Sequence, residues 1–141
     1  MSEKIDTTET FSLHPQLAHD CFELAELPLC KLLLCNDKAY PWFILVPKVN
    51  DISDIYQLDW QQQQQLLNES SLLSELLMQV FNGDKMNVAA LGNVVVDGKV
   101  FVVALIYVRY KHIKVKSKRV RARRRLGNLK NPIFEFLVFS S

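Results

Sequence analysis

The sequence has little of what marks membrane or secreted proteins. Its longest apolar run, residues 100–108, is far shorter than the roughly 20 residues that a transmembrane helix needs. Residues 1–10 are polar and acidic, and they lack the apolar core of a secretion signal. We therefore expect a cytoplasmic protein that makes no contact with a membrane.

Cysteine is also scarce, with three residues and no C-x-x-C pair. An odd number of cysteines among apolar neighbours favours small core side chains in a reducing compartment over a disulfide framework. The three histidines form no metal-spaced cluster with these cysteines. We therefore expect no structural zinc ion and no other cofactor.

The composition that remains is that of one folded domain. The chain has 141 residues, of which 49% are hydrophobic, and this is enough to bury a single core. Residues 1–98 carry five Lys/Arg against fourteen Asp/Glu, a net charge of −9, whereas residues 99–141 carry twelve against one, a net charge of +11. We predict a mobile N-terminus over residues 1–11, a domain over 12–110, and a basic, then apolar, segment over 111–141.

Apolar periodicity predicts two helices. The first runs from His14 to residue 27 with Ser12 as its cap, because apolar side chains recur there at three- and four-residue steps. These side chains are Leu17, Cys21, Leu24 and Leu27. The second begins at Asp59, where Gln62 completes a capping box, and ends at Asn82 before a glycine. Its predicted apolar stripe is Leu66, Leu73, Leu76, Leu77, Val80 and Phe81.

Four β-rich segments surround the second helix. Residues 29–35 and 42–46 are apolar and are joined by a short polar loop, which favours antiparallel neighbours. Residues 86–96 and 99–108 flank an Asp97-Gly98 pair, a strong signal for a hairpin turn. The order of elements predicts an α+β domain whose helices cover an antiparallel sheet.

Over more than half of its length the chain resembles the bacterial branch of the histidine-triad (HIT) family. The likeness lies in HPQL at 14–17, ELPLC at 26–30, LL at 33–34, ND at 36–37, YPWFILVP at 40–47 and KMNVAALGNVV at 85–95. The resemblance implies a HIT-like fold with an antiparallel sheet of about five strands and two helices, usually paired as a homodimer. It also implies nucleotidyl transfer or hydrolysis at the α-phosphate of a nucleotide conjugate through a covalent nucleotidyl-histidine.

The likeness breaks where that chemistry should lie. The family branch has Gln-x-His-x-His directly after the GNVV of residues 92–95, and alternation along a strand would bring the three side chains to one pocket. Counted without gaps, those positions hold Asp97, Lys99 and Phe101, and no H-x-H occurs in the chain. Phe101 cannot attack phosphorus and Asp97 would repel phosphate, so we predict weak turnover or none and name no catalytic residue. Lys99 as the nucleophile of a metal-independent phosphotransferase is the weaker alternative.

The remaining histidines offer no substitute by this reasoning. His14 corresponds to the family's helix start, which is remote from the pocket, so a cap or surface role is expected. We expect His19 to be exposed on the first helix. His112 stands alone in a basic run and is expected to face solvent. A single histidine without an orienting partner is a poor catalytic arrangement.

The resemblance also implies nucleoside contacts to a purine nucleotide or nucleotide conjugate. Leu34, Asn36, Asp37 and Ile44 would line the base and ribose pocket, and Asn93 would lie near the phosphate. Each residue has a structural alternative. Asn36 and Asp37 can be turn residues, and Leu34 and Ile44 can belong to the core.

Two interpretations compete for the basic segment between Lys111 and Arg125. It can be an arm that binds nucleic acid or an acidic partner, with the domain as a dimeric scaffold. Alternatively, the ending results from a shifted reading frame or a replaced C-terminus, because the likeness and the charge balance both change near Val95. We favour the second interpretation. Gln-x-His-x-His in another frame of the DNA around codons 95–100 would establish it, and its absence from all frames would refute it.

Overall fold

A computed structural model describes residues 10–36 and 42–108 of the chain. Its elements, in chain order, are α1 (Pro15–Asp20), β1 (Cys21–Glu26), β2 (Cys30–Cys35), β3 (Trp42–Pro47), a 3₁₀ turn (Ile55–Gln57), α2 (Trp60–Phe81), β4 (Lys85–Val95) and β5 (Gly98–Val108). None of the helices in these residues is long and apolar enough to cross a bilayer.

The five strands form one antiparallel sheet in the order β1-β2-β3-β5-β4. One face, here called the α2 face, packs against Leu66, Leu73 and Leu77 of α2. The opposite face, here called the α1 face, packs against Leu17 of α1. The predicted α+β fold of about five antiparallel strands and two helices is therefore confirmed.

Local signals located α2 correctly. The Asp59 carboxylate accepts a hydrogen bond from the backbone N–H of Gln62, whose side-chain oxygen accepts one from the backbone N–H of Asp59 in return. At the other end Asn82 takes the left-handed conformation, with φ of 51°, and ends the helix. Both features depend on residues that are neighbours in the sequence, so the pattern alone reveals them.

The prediction of a first helix from residue 14 to 27 is wrong beyond Asp20. Cys21 is already extended, and residues 21–26 form β1, which pairs with β2. The apolar spacing does not reflect a buried helical face, because the side chains of Phe22 and Leu24 are largely exposed. Pairing with a distant strand overrides the local periodicity here. The cap is also different, since the side chain of His14, not Ser12, accepts the first backbone hydrogen bond of α1.

The predicted β4–β5 hairpin is present, but its turn lies one residue earlier than expected. Val95 pairs with Gly98, so Val96 and Asp97 are the two turn residues and Gly98 begins β5 with φ of +145°. Glycine adopts such a backbone conformation without the clash that a Cβ would cause. Gly98 is therefore the first residue of β5 and is not one of the two central residues of the turn.

The apolar stripe of α2 is wider than the face that it buries. Three leucines predicted for the stripe pack on the sheet, as described above. Leu76 and Val80, also predicted for it, are exposed, and so is Leu72. These three residues, spaced four apart, are called the exposed α2 stripe below. The predicted division of the chain at residues 11 and 110 stays a prediction, because residues 1–9 and 109–141 lie outside the described residues.

Candidate functional site

A cavity of about 560 Å³ lies at one end of the sheet, where three chain segments meet. One segment is the approach to α1, another is the connection after β3, and the third is the tip of the β4–β5 hairpin. The polar side chains that line it include Ser12, His14, Asn50, Asp51, Asp97 and Lys99. The sequence positions that correspond to the family's reactive strand therefore lie beside a real cavity.

His14 belongs to this cavity, so the expectation that it lies remote from the pocket is wrong. Its ring Nε2 is 3.7 Å from Oδ1 of Asp97 at the hairpin tip. Its Nδ1 accepts a hydrogen bond from the backbone N–H of Gln16 at 3.1 Å, which confirms the expected cap role. One side chain thus joins the start of α1 to the turn of the hairpin.

This double contact fixes what the His14 ring can do chemically. Because Nδ1 accepts a hydrogen bond, the neutral ring carries its proton on Nε2, which faces Asp97. A nucleophilic imidazole needs the lone pair of its unprotonated nitrogen, and here that lone pair is engaged in the helix cap. His14 is therefore arranged as a hydrogen-bond donor and not as an attacking group.

His19 contributes nothing to the cavity. Its ring is exposed, as expected, and its Nδ1 lies 2.8 Å from Oδ1 of the adjacent Asp20. The third histidine, His112, lies outside the described residues. Within residues 10–36 and 42–108, no imidazole therefore stands ready to attack a phosphorus atom in this cavity.

Successive side chains of β5 alternate between the two faces of the sheet. Phe101 packs in the cluster beneath α2, whereas Val100 and Val102 pack in the cluster on the α1 face. Lys99 has the same parity as Phe101, so it lies on the α2 side of the strand, where its side chain is exposed at the cavity. The two positions that would hold histidines in relatives are thus directed toward the α2 face.

Asn93 lies on the other side of the hairpin. It pairs directly with Val100, and directly opposed residues of an antiparallel pair share a face. Leu91 and Val95, two residues before and after it, pack on the α1 face. The Asn93 side chain is almost fully buried there. The structure therefore does not bring Asn93 together with Lys99 and Phe101 on one face.

Leu34 and Ile44, the two apolar residues assigned to a base pocket, also lie on opposite faces. Leu34 packs beneath α2, opposite Phe43 in the register, whereas Ile44 is fully buried on the α1 face, opposite Leu33. One flat base cannot contact both side chains across a sheet. Cys35, the residue after Leu34, lies on the same face of the sheet as Ile44.

The polar pair after β2 is described only in part. Asn36 is exposed, and its backbone N–H donates to the carbonyl of Asp20 at 3.0 Å. This hydrogen bond extends the β1–β2 ladder by one step. Asp37 lies outside the described residues, so its predicted contact with a ribose stays a prediction.

Glu69 of α2 is a buried carboxylate that the sequence analysis did not single out. Its oxygens accept hydrogen bonds from the backbone N–H groups of Leu29, at 2.8 Å, and Cys30, at 3.0 Å. Gln65, one turn earlier, donates to the same carboxylate. The sequence signal for it was its spacing, because Glu69 lies three residues after Leu66 and four before Leu73. This spacing places the carboxylate on the buried face of the helix. Burial and the neighbouring Glu69 carboxylate raise the pKa of the Cys30 thiol far above its ordinary value.

Comparisons with known proteins agree with this architecture. The family model described as the HIT domain matches residues 16–101. A histidine triad protein from Marinobacter aquaeolei VT8 is 38% identical, with a TM-score of 0.64 over 92% of this chain and 100% of that protein. Histidine triad proteins from Bradyrhizobium japonicum and Sinorhizobium meliloti 1021 are 32% and 30% identical. Both have a TM-score of 0.66 over 84% of this chain, and they are covered to 95% and 97%.

None of the curated proteins matches the chain significantly. The family model spans well over half of the sequence, and solved relatives above 30% identity are matched over nearly their whole length. The chain belongs to the histidine-triad family.

Proposed function

We propose that this HIT-family protein binds a purine nucleotide or nucleotide conjugate and turns it over weakly or not at all. The observation that carries the proposal is the state of the histidine in the cavity at the hairpin tip. Among the described residues that line this cavity the histidine is His14, and the lone pair of its Nδ1 accepts the hydrogen bond that caps α1. A covalent nucleotidyl-histidine needs a histidine nitrogen that can attack phosphorus.

The cavity at the hairpin tip supports a ligand of nucleotide size. Its volume of about 560 Å³ falls within the roughly 300–1,000 Å³ of small-molecule sites. Lys99 supplies one cation for a phosphate, whereas Asp51 and Asp97 place two carboxylates among the lining residues. This balance of charge opposes tight phosphate binding, so we expect the affinity for the nucleotide to be low.

Calorimetric titration with AMP and GMP tests the location of the ligand. We expect Lys99→Ala to weaken AMP binding by about fivefold, the effect of one partly exposed charge pair. Asp97→Asn should tighten it, because the isosteric amide removes a negative charge beside the phosphate. Lys85→Ala, which removes an exposed lysine at the far end of the same hairpin, should leave binding unchanged.

Hydrolysis of adenosine 5′-phosphoramidate tests the absence of turnover. We expect the protein to bind AMP. We expect its rate of product release to be no higher than that of the Lys99→Ala protein. Robust turnover would refute the proposal. Turnover abolished by Lys99→Ala would instead establish the lysine-dependent phosphotransferase, and a nucleotide joined covalently to a histidine would show that an imidazole reaches the site.

We also propose that two copies of the chain form a homodimer. Among the described strands, β4 is an 11-residue sheet edge whose outer backbone groups face no other strand. The helix that carries the exposed α2 stripe contacts β4, and long open edges and apolar patches favour pairing with another chain. Sedimentation should give twice the mass of one chain. Leu76→Glu should halve that mass, whereas Leu67→Glu, at an exposed leucine elsewhere on α2, should not.

A second candidate function rests on the charge reversal after residue 98. The proposed alternative is a dimeric scaffold, located in the cytoplasm, whose arm between Lys111 and Arg125 binds nucleic acid or an acidic partner. It predicts RNA binding that falls steeply with salt, with no affinity for nucleotides. Nucleotide binding that persists when residues 111–141 are removed would contradict it.

A further inference from the structure

Cys21 and Cys35 face each other across two neighbouring strands. Cys21 is the first residue of β1 and Cys35 the last of β2, and the register pairs them directly. Their sulfur atoms are 3.8 Å apart. Both side chains lie on the α1 face, where Cys35 belongs to the core and Cys21 packs against it. Fourteen positions separate them in sequence, so the sheet, and not the local chain, creates the pair.

The backbone around the pair has the geometry that a disulfide needs. The hydrogen bond from Asn36 N–H to the Asp20 carbonyl joins the residue after Cys35 to the residue before Cys21. This pattern identifies Cys21 and Cys35 as a non-hydrogen-bonded pair, whose Cα atoms are about 4.5 Å apart in antiparallel sheets. Disulfides span Cα separations of about 4.4–6.8 Å. Side-chain rotation alone can therefore bring the two sulfurs to bonding distance.

The two thiols differ in access to solvent. Cys21 is half-buried, and only 3% of Cys35 is exposed. An oxidant in solution therefore reaches Cys21 first, and Cys35 is placed to attack whatever forms there. Cys30 provides an internal contrast, because it is fully buried on the α2 face beside Glu69. Buried thiols of this kind are inert.

We propose that Cys21 and Cys35 are a redox-active pair that closes reversibly to an intramolecular disulfide by exchange with a low-molecular-weight disulfide. The Cys21 thiolate attacks one sulfur of glutathione disulfide and releases one glutathione. The Cys35 thiolate then attacks the Cys21 sulfur of the mixed disulfide and releases the second glutathione. Two electrons pass from the protein to the reagent, and the two thiol protons end on the two glutathione molecules.

The bond would act on the outer strand of the sheet. Five of the six residues of β1 are exposed, and a bulge between Glu23 and Ala25 interrupts its pairing with β2. A disulfide at Cys21, the first residue of β1, would hold that end of the strand in register with β2. The short connection to β2 already holds the other end of β1. Reduction would return it to hydrogen bonds alone.

Titration of the native full-length protein with glutathione disulfide tests the inference. We expect two of three thiols to disappear, the mass to fall by two hydrogen atoms without a retained glutathione, and peptide mapping to join Cys21 to Cys35. Dithiothreitol should restore all three thiols. The Cys30→Ser protein should behave in the same way, because that thiol takes no part.

The other variants separate this mechanism from nonspecific oxidation. Cys35→Ser should stop at a stable glutathione adduct on Cys21, and Cys21→Ser should form no link. In urea the unfolded chain can make all three pairings, so a native product limited to one pairing shows that the fold selects it. A link that includes Cys30, a link between two chains, or three thiols that survive in the native protein would overturn the proposal.

Discussion

The Glu69 carboxylate holds the first residues of β2 against α2, and its removal offers the sharpest test of how the helix is fixed to the sheet. Two backbone N–H groups donate to it, those of Leu29 and Cys30. Glu69→Ala leaves both donors buried without this acceptor. Each such donor costs about 1–3 kcal/mol. With partial relief from water entering the gap, we expect the free energy of unfolding to fall by about 3–4 kcal/mol, against a typical total of about 5–15 kcal/mol.

Urea unfolding followed by circular dichroism measures this loss. With a slope of about 2 kcal/mol per molar urea, the midpoint should fall by about 1.5–2 M. Glu69→Gln retains one acceptor oxygen and should fall between the alanine variant and the wild type. Glu75→Ala, at an exposed carboxylate of the same helix, should change stability by no more than about 0.5 kcal/mol. Equal effects at residues 69 and 75 would refute the assignment of Glu69 as an anchor.

Three further predictions concern stability. A Cβ at Gly92 would lie 1.7 Å from the carbonyl oxygen of Ser53, so Gly92→Ala should lower the melting temperature, with a loss of about 1–3 kcal/mol; an unchanged melting temperature would contradict the close contact. His14→Ala should cost about 0.5–2 kcal/mol in chemical denaturation by removing the α1 cap, and His14→Asn, which can still cap, should recover most of it. The Lys31 ammonium donates a hydrogen bond to the Glu23 carboxylate, which raises the pKa of Lys31 above its ordinary value. The folded state therefore holds that proton more tightly, so the contribution of the pair to stability is fully present below the ordinary pKa of lysine and is lost as the pH rises through the raised pKa. Lys31→Met should reduce the fall in urea midpoint across this range, and an identical pH profile would count against the pair.

Sequence reasoning succeeded where the cause is local. The capping box at Asp59 and the left-handed end at Asn82 involve residues within one turn of each other. It failed at residues 21–26, where the apolar spacing fits a helix but the hydrogen-bond partners lie in β2, more than four positions away. No periodicity within a six-residue segment reveals a strand that will form beside it. Resemblance supplied the fifth strand that periodicity missed.

The sequence led to only part of the cavity lining, because Leu34, Ile44 and Asn93 are not among the residues that line the cavity. Counting from the GNVV of residues 92–95 led to Lys99 and Phe101, and both do border the cavity. Which face they occupy depends on the turn that precedes them, and the turn lies one residue earlier than Asp-Gly suggested. Leu34 and Ile44 lie on opposite faces because Leu34 is opposite Phe43 in the register, and successive side chains of a strand alternate between faces. The sequence did not indicate that His14 contacts Asp97, because 83 positions separate the two residues and only the fold brings them together.

Histidines introduced at Lys99 and Phe101 would not share a face of the sheet with Asn93. The tight reversal at Val96 and Asp97 sends both positions toward the long helix, so the second new ring would sit in the leucine-rich layer, away from Asn93. One residue added within that reversal would rotate every later side chain of the strand to the other side of the sheet. The face on which each side chain of β5 lies therefore depends on the length of this turn before it depends on the identity of any amino acid.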